Sequence, residues 1–244
     1  PFSAAAAREI KAFDPDQIIL LPLYPQFSTT TTGSSLKEWS RAASDAGLDK
    51  PTRAVCCYPC EEGFIQGLAE LIGPAIAETE AKKSVDKPVR VLFSAHGLPE
   101  KIIARGDPYQ WQIEQTAEAV VAAMGWPDLD WTVCYQSRVG RLKWIGPSLD
   151  DELKRAARDG VGVVVVPVAF VSEHSETLVE LDIEYRGMAK ELGVPAYVRV
   201  AALSVQEDFI GGLARTVETS MAAGEAIGCQ AGARQCPSGF TGCP

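Results

Sequence analysis

Apolar positions along this chain gather in short, β-branched-rich runs separated by longer stretches of helical periodicity. Residues 17–24, 52–57, 89–94, 131–135, 161–171 and 196–201 read as strands. Amphipathic or Ala- and Glu-rich stretches at 3–13, 61–81, 109–124, 150–158 and 205–221 read as helices, with one more running to about 46 and capped by Ser34 or Ser35. Strict alternation of this kind predicts an α/β fold with two doubly wound parallel sheets, the first incomplete. A polar stretch at 82–87 precedes Pro88 and marks a crossover. Three units are expected: 1–84 as the remainder of a first domain, 85–223 as a second, and a Gly-, Cys- and Pro-rich tail, 224–244, with no core element.

The run at 161–171 is apolar throughout, which predicts a parallel strand buried on both faces. Ser172 is placed to cap a helix over 172–185. Glu173, Glu176, Glu180 and Glu184 then follow at spacings of three, four and four, which on an α-helix put four carboxylates on one face. Leu178, Leu181, Tyr185 and Met188 form an apolar stripe expected to pack on the sheet. Like charges at i,i+4 cost a helix roughly 0.2–0.5 kcal/mol per pair. The acid face is therefore either a solvated surface or a path for a hard cation or a proton. Its place just beyond the carboxyl end of a buried strand, with His174 in the first turn, favours the path.

Composition narrows the class. The chain has 244 residues, 46% hydrophobic and 23% charged, enough for a substantial core. A net charge of −9 argues against a nucleic-acid partner, which wants a basic footprint. No apolar run approaches the ~20 residues of a membrane span. The chain opens on Pro1 rather than Met, as a fragment or processed product would. No G-x-G-x-x-G or G-K-[ST] motif supports a phosphate cradle.

The strand ends carry the candidate chemistry. Both histidines of the chain follow a strand, and His96 precedes Gly97, which suits a tight turn. A neutral imidazole there could accept a proton or bind a metal, or simply complete a core. Tyr135-Gln-Ser-Arg-Val-Gly140 ends a third strand in polar groups. Tyr24, Tyr58 and Trp144 could line a flat aromatic ligand or belong to the core.

Six segments together resemble the ferrochelatase family, in the family's order and over nearly the whole chain. They are Leu23-Tyr-Pro-Gln-Phe-Ser-Thr-Thr-Thr-Thr-Gly-Ser-Ser35, Leu92-Phe-Ser-Ala-His-Gly-Leu-Pro99, Arg105-Gly-Asp-Pro-Tyr109, Tyr135-Gln-Ser-Arg-Val-Gly140, Trp144-Ile-Gly-Pro147 and Glu173-His-Ser-Glu-Thr-Leu-Val-Glu-Leu-Asp182. The resemblance implies two Rossmann-like domains with a porphyrin between them, and insertion of ferrous iron, the substrate metal, to form haem. It implies His96 as the active-site histidine and Glu176 as the acid facing it. Glu173, His174 and Glu180 would match the acidic path, Tyr24 the opposite wall, Trp144 the pocket tryptophan, and Gln136 and Ser137 a pocket motif. A further N-terminal portion of the family, including the lip over the porphyrin, has no match here. The expected partners are porphyrin, protoporphyrin IX foremost, and ferrous iron, in a cytoplasmic protein with peripheral membrane contact and an open oligomeric state. Two other functions stay in view: a cobalt or nickel chelatase for a sirohydrochlorin-like ring, and a porphyrin-binding fragment without catalysis.

The tail adds a second candidate centre. Cys229, Cys236 and Cys243 are evenly spaced among glycines, as converging thiolates of a cluster or Zn²⁺ site require, although the spacing matches neither common ferredoxin nor zinc-finger patterns. Idle thiols on a disordered tail, or a tail disulfide, are the plain alternatives. Some ferrochelatases hold a [2Fe–2S] cluster on three Cys of a C-terminal extension and one from the body, and the tail resembles that extension. The body position of animal members corresponds to Thr29, which cannot serve. Cys57 is the expected fourth ligand, Cys60 the next, while Cys134 in its strand belongs to the core.

Overall fold

A computed structural model describes residues 2–82, 87–230, 232 and 234–244. Its elements in order are α1 (Ser3–Phe13), β1 (Ile18–Leu20), α2 (Thr32–Ala46), β2 (Thr52–Val55), α3 (Glu62–Lys82), β3 (Val89–His96), α4 (Glu100–Ile103) and α5 (Tyr109–Met124). There follow β4 (Asp130–Gln136), α6 (Leu149–Asp159), β5 (Gly162–Pro167), a π-helix (Glu176–Tyr185), α7 (Arg186–Leu192), β6 (Tyr197–Arg199), α8 (Glu207–Ala222) and β7 (Ile227–Gly228). The strands form two all-parallel sheets, ordered β1-β2-β7 and β4-β3-β5-β6. The expected α/β class with two parallel sheets is what the chain adopts. The expected boundary at 84/85 lies outside the described residues.

The second sheet is buried on both faces, as its apolar runs require. Val91, Phe93, Ala95, Val164 and Val166 face α3 and α5, whereas Leu92, Val163 and Val165 face α6, the π-helix and α7. Every residue of β5 is buried. At roughly 1.5–3 kcal/mol per fully buried Val, Leu or Phe, this double face is the main source of the sheet's stability.

Several elements end earlier or run differently than local pattern predicts. The strand expected over 161–171 stops at Pro167, and the Val168 N–H turns to Ser94 O at 3.0 Å. The strand expected over 17–24 is confined to Ile18–Leu20. Thr31, not Ser34 or Ser35, stands at the start of α2; the Ser34 hydroxyl donates back to Thr30 O and Thr31 O.

The tail is also not a free appendage. β7 adds to β2, with Ala54 opposite Ile227 and Val55 opposite Gly228, so residues read as lacking a core element complete the first sheet. α8 makes this possible by lying closely against α3. A Cβ on Gly63 would stand 2.0 Å from Asp208 O, so only glycine allows that approach.

Candidate functional site

The carboxyl ends of β3 and β4 meet in register, His96 opposite Gln136. The loop leaving β5 reaches the same edge, where an open α/β sheet places its site. A cavity of about 270 Å³ opens there, lined by Tyr24, Gln26, Ser28, Thr30, Thr31, His96, Leu98, Tyr109, Ala169, Phe170 and Glu176. His96, Glu176 and Tyr24 thus share one cavity, as the sequence suggested.

His96 Nδ1 lies 2.6 Å from Gly97 O. A carbonyl can only accept, so Nδ1 is the donor, and in the neutral ring the lone pair then lies on Nε2. The Tyr109 hydroxyl donates to His96 O at 3.1 Å and fixes the strand end. Gly97 is needed for space rather than for a special turn. A Cβ there would stand 3.1 Å from Gln136 O and 3.3 Å from the Trp144 ring. Burial, then the charges of Glu176 and Asp107, push the Tyr109 hydroxyl far above its ordinary value, so it remains a neutral donor.

Glu176 offers a carboxylate oxygen, Oε2, that is buried and has no hydrogen-bond partner among the described residues. Such an atom is costly unless something that visits the cavity satisfies it. Glu176 also lines an open groove with Ser137, Val139, Ser175, Val179, Glu180 and Glu184. It is therefore the joint between the enclosed cavity and an acidic channel mouth.

The helix that carries these acids is π rather than α over Glu176–Tyr185. Its i→i+5 bonding adds close to one residue per turn, so positions four apart stay on one face while those three apart drift off it. Glu176, Glu180 and Glu184 line one groove on this account. Leu178, expected in the buried stripe with Leu181 and Tyr185, is instead 48% exposed. The expected fourfold acid face is corrected as well. Glu173 precedes the helix, so helical spacing does not govern it; it accepts from Arg199 at 2.7 Å and from the Ala202 N–H at 2.9 Å. Arg199 also binds Asp182, at 2.5 Å from Nη2.

Glu180 is held rather than free. The Gln136 amide donates to it at 3.0 Å, and the Ser137 N–H at 2.8 Å, with the Ser137 hydroxyl adding a third bond. Ser137 adopts φ 58°, a left-handed conformation that costs a non-glycine residue about 1–3 kcal/mol. The charge-assisted bonds to Glu180 offset that strain. Gln136 and Ser137 therefore shape the acidic groove and do not line the cavity. Trp144 is likewise absent from the cavity wall. Its segment bridges back to Pro99, which turns the indole onto Gly97 and leaves its N–H buried without a partner among the described residues. His174 packs on Phe170, ring centroids 4.8 Å apart, and flanks the cavity through it.

The cysteines converge at a second place. Cys56, Cys57, Cys229, Cys236 and Cys243 are all buried, in one cluster with Phe27. Cys56, Cys57 and Cys229 offer sulfurs within 4.8 Å of one another. Hydrogen bonds from Cys56 and Cys57 pull Cys229 well below the ordinary thiol range, and those from Cys236 and Cys56 do the same for Cys243. Both are thereby biased toward the thiolate form that ligates a soft metal centre. Cys60 is exposed and outside the cluster, and Cys134 lies in the core of the second sheet. Thr29 packs against Gly242, beside Cys243. Sequence reasoning grouped Cys56 with Cys57 and Cys60 but ranked it behind both, and it missed Tyr109, Gln26 and Ser28 as cavity walls. All three stand in segments that resemble the family, Gln26 and Ser28 in 23–35 and Tyr109 in 105–109, but nothing in those segments singled them out.

Comparison with known proteins agrees with this geometry. The family model described as Ferrochelatase matches residues 1–221. A ferrochelatase of Caulobacter vibrioides (strain NA1000 / CB15N) is 50% identical over 244 residues, which is 100% of this chain and 68% of the relative. A ferrochelatase of Phenylobacterium zucineum is 53% identical over 215 residues, 88% of this chain and 60% of that protein. One from Hyphomonas neptunium is 46% identical over 246 residues, covering 100% of this chain and 66% of its own length. The chain thus spans about two thirds of the length of these relatives, and the Caulobacter match includes the cysteine tail. With the family model covering most of the chain and His96 and Glu176 facing one cavity, this chain belongs to the ferrochelatase family.

Proposed function

We propose that the full-length protein inserts ferrous iron into protoporphyrin IX to give haem, with His96 and Glu176 as its catalytic residues. The reaction exchanges both inner N–H protons of the ring for Fe²⁺ and involves no change of oxidation state. The observation that carries this reading is the unpartnered Oε2 of Glu176 in the His96 cavity. Basic Nε2 of His96 takes a pyrrole proton while the ring is held against Tyr24 and the Gln26–Thr31 wall. Iron comes along the outer groove past Glu184 and Glu180, loosely held by oxygen ligands and shedding water, to Glu176. Gln136 and Ser137 keep Glu180 turned into that route. Glu173, neutralised by Arg199, acts as a structural anchor, and His174 backs the Phe170 wall.

The cysteine cluster fits a [2Fe–2S] centre, since soft thiolates in a buried setting are the donor set such a cluster takes. We assign Cys57, Cys229, Cys236 and Cys243 as its ligands, with Cys57 and Cys229 sulfurs 3.6 Å apart and Cys56 standing by as a fifth thiol. When bound, the cluster ties the tail to the end of β2 and supplies a one-electron redox group. No described helix is long and apolar enough to cross a membrane. We place the protein in the cytoplasm, with peripheral contact where its hydrophobic product leaves.

The test is His96→Ala in the full-length protein, followed by anaerobic haem formation from ferrous iron and protoporphyrin. Chelation should fall by about 10²–10⁴-fold or more, with far-UV circular dichroism unchanged. Near-normal turnover would exclude His96 as the proton acceptor.

A further inference from the structure

Gln112, in α5, lies fully buried beside the cysteine cluster. Its Oε1 accepts from the Phe27 N–H at 2.7 Å. Its Nε2 lies 3.0 Å from Cys236 Sγ and 3.3 Å from Cys57 Sγ. The orientation of the amide follows from chemistry, because the Phe27 N–H needs an acceptor, which only Oε1 supplies, and this leaves the Nε2 hydrogens for the sulfurs. One side chain therefore spends both N–H groups on two sulfurs and its oxygen on one backbone amide.

That amide lies between two residues of the cavity wall. Gln26 and Ser28, on either side of Phe27, line the space that holds His96 and Glu176. The rest of the loop is tied to the same helix and to the turn that precedes it. The Gln26 amide donates to the Thr116 hydroxyl at 3.0 Å, and Asp107 accepts from the Ser28 hydroxyl at 3.0 Å and the Thr29 N–H at 2.7 Å. The tail reaches this helix start too, through Gly242 N–H to Gly106 O at 2.9 Å.

We propose that Gln112 is a positioning residue that couples the thiolate centre to the porphyrin wall. It donates N–H···S bonds to two cluster ligands and, through its oxygen, holds the Phe27 amide and with it the Gln26–Ser28 wall. The inference rests on the [2Fe–2S] assignment made above. Hydrogen bonds to the sulfurs raise a cluster's reduction potential, because they favour the more negative reduced state. The same side chain then registers cluster loss at the cavity, since an amide without its sulfur partners is no longer fixed.

The experiment uses the full-length protein purified anaerobically. Iron and acid-labile sulfide in the unsubstituted protein test the cluster itself; their absence would sink that assignment, and the coupling with it. Given a cluster, labelling glutamine side-chain amides with ¹⁵N should give a nitrogen coupling in the pulsed EPR spectrum of the reduced protein. A spectrum without it overturns the role of Gln112 while leaving the cluster in place. Gln112→Met should shift the reduction potential to more negative values and raise KM for porphyrin roughly 3–10-fold, the worth of one backbone hydrogen bond, with a smaller effect on kcat. Gln112→Glu keeps an acceptor for Phe27 but loses the donors, so it should shift the potential in the same direction with a smaller rise in KM. An unchanged potential in a folded, cluster-bearing variant would overturn the proposal. Should either variant fail to fold, the labelled unsubstituted protein still decides.

Discussion

Arg199→Met should destabilise the protein by about 2–3 kcal/mol near neutral pH, and the loss should fade in acid. Arg199 has a side chain only 8% exposed and binds Glu173 and Asp182, themselves 29% and 24% exposed. Breaking a buried ion pair by removing one partner costs about 3–5 kcal/mol. Partial exposure lowers that figure, and each acid keeps other partners: Asp182 retains Arg186 at 3.0 Å, and Glu173 retains the Ala202 N–H. Burial tends to raise both carboxyl pKa values. For Glu173, bonds from Thr177, Arg199 and Ala202 outweigh it, and for Asp182 those from Arg199 and Arg186 do, so both are lowered on folding. A lowered folded pKa means stability that is fully present above the unfolded carboxyl values of about 4, and lost as pH falls through the folded values. Urea unfolding of wild type and variant at pH 7 and at steps down to pH 3 gives the difference in midpoint. A large difference at pH 7 that shrinks below about pH 4 is expected. A difference of equal size at every pH would mean that the lost stem packing, not the charges, was responsible. The triad also ties the π-helix to β6, so turnover in the variant should fall along with stability.

Other outcomes follow from the same geometry. Glu176→Gln keeps shape and removes charge, and should lower iron insertion by about 10²–10⁴-fold, whereas Glu184→Gln, exposed at the groove mouth, should change it less than about threefold. Equal effects at the two positions in a steady-state assay would mean that the acid stripe is a solvated face. Cys236→Ser should abolish the visible absorbance and the bound iron and sulfide, while Cys60→Ser, outside the cluster, should leave both intact; a colourless wild type with freely reactive thiols would dismiss the cluster.

Much of this protein was legible from local pattern. The continuous apolar run at 161–171 specified a strand buried on both faces, and β5 is such a strand, because a sheet covered twice favours apolar side chains at every position. His96 and Gln136 sat at strand ends by count alone, and parallel register then set them side by side. What local pattern could not hold were choices made by distant partners. The turn of the helix at Glu176 widened from α to π, and that decided that Leu178 faces water and that Glu184 joins Glu176. Glu173 left the acid stripe because it precedes the helix, and Arg199, from β6, pairs with it there. Cys56 joined the cluster because β7 pairs with β2 and carries Cys229 to it, across a separation no periodicity spans. Gln112 looked like one more polar residue on a helix. Only the folded chain brings Phe27 and two sulfurs to its two ends, because hydrogen-bonding partners so far apart in sequence are chosen by packing rather than by spacing.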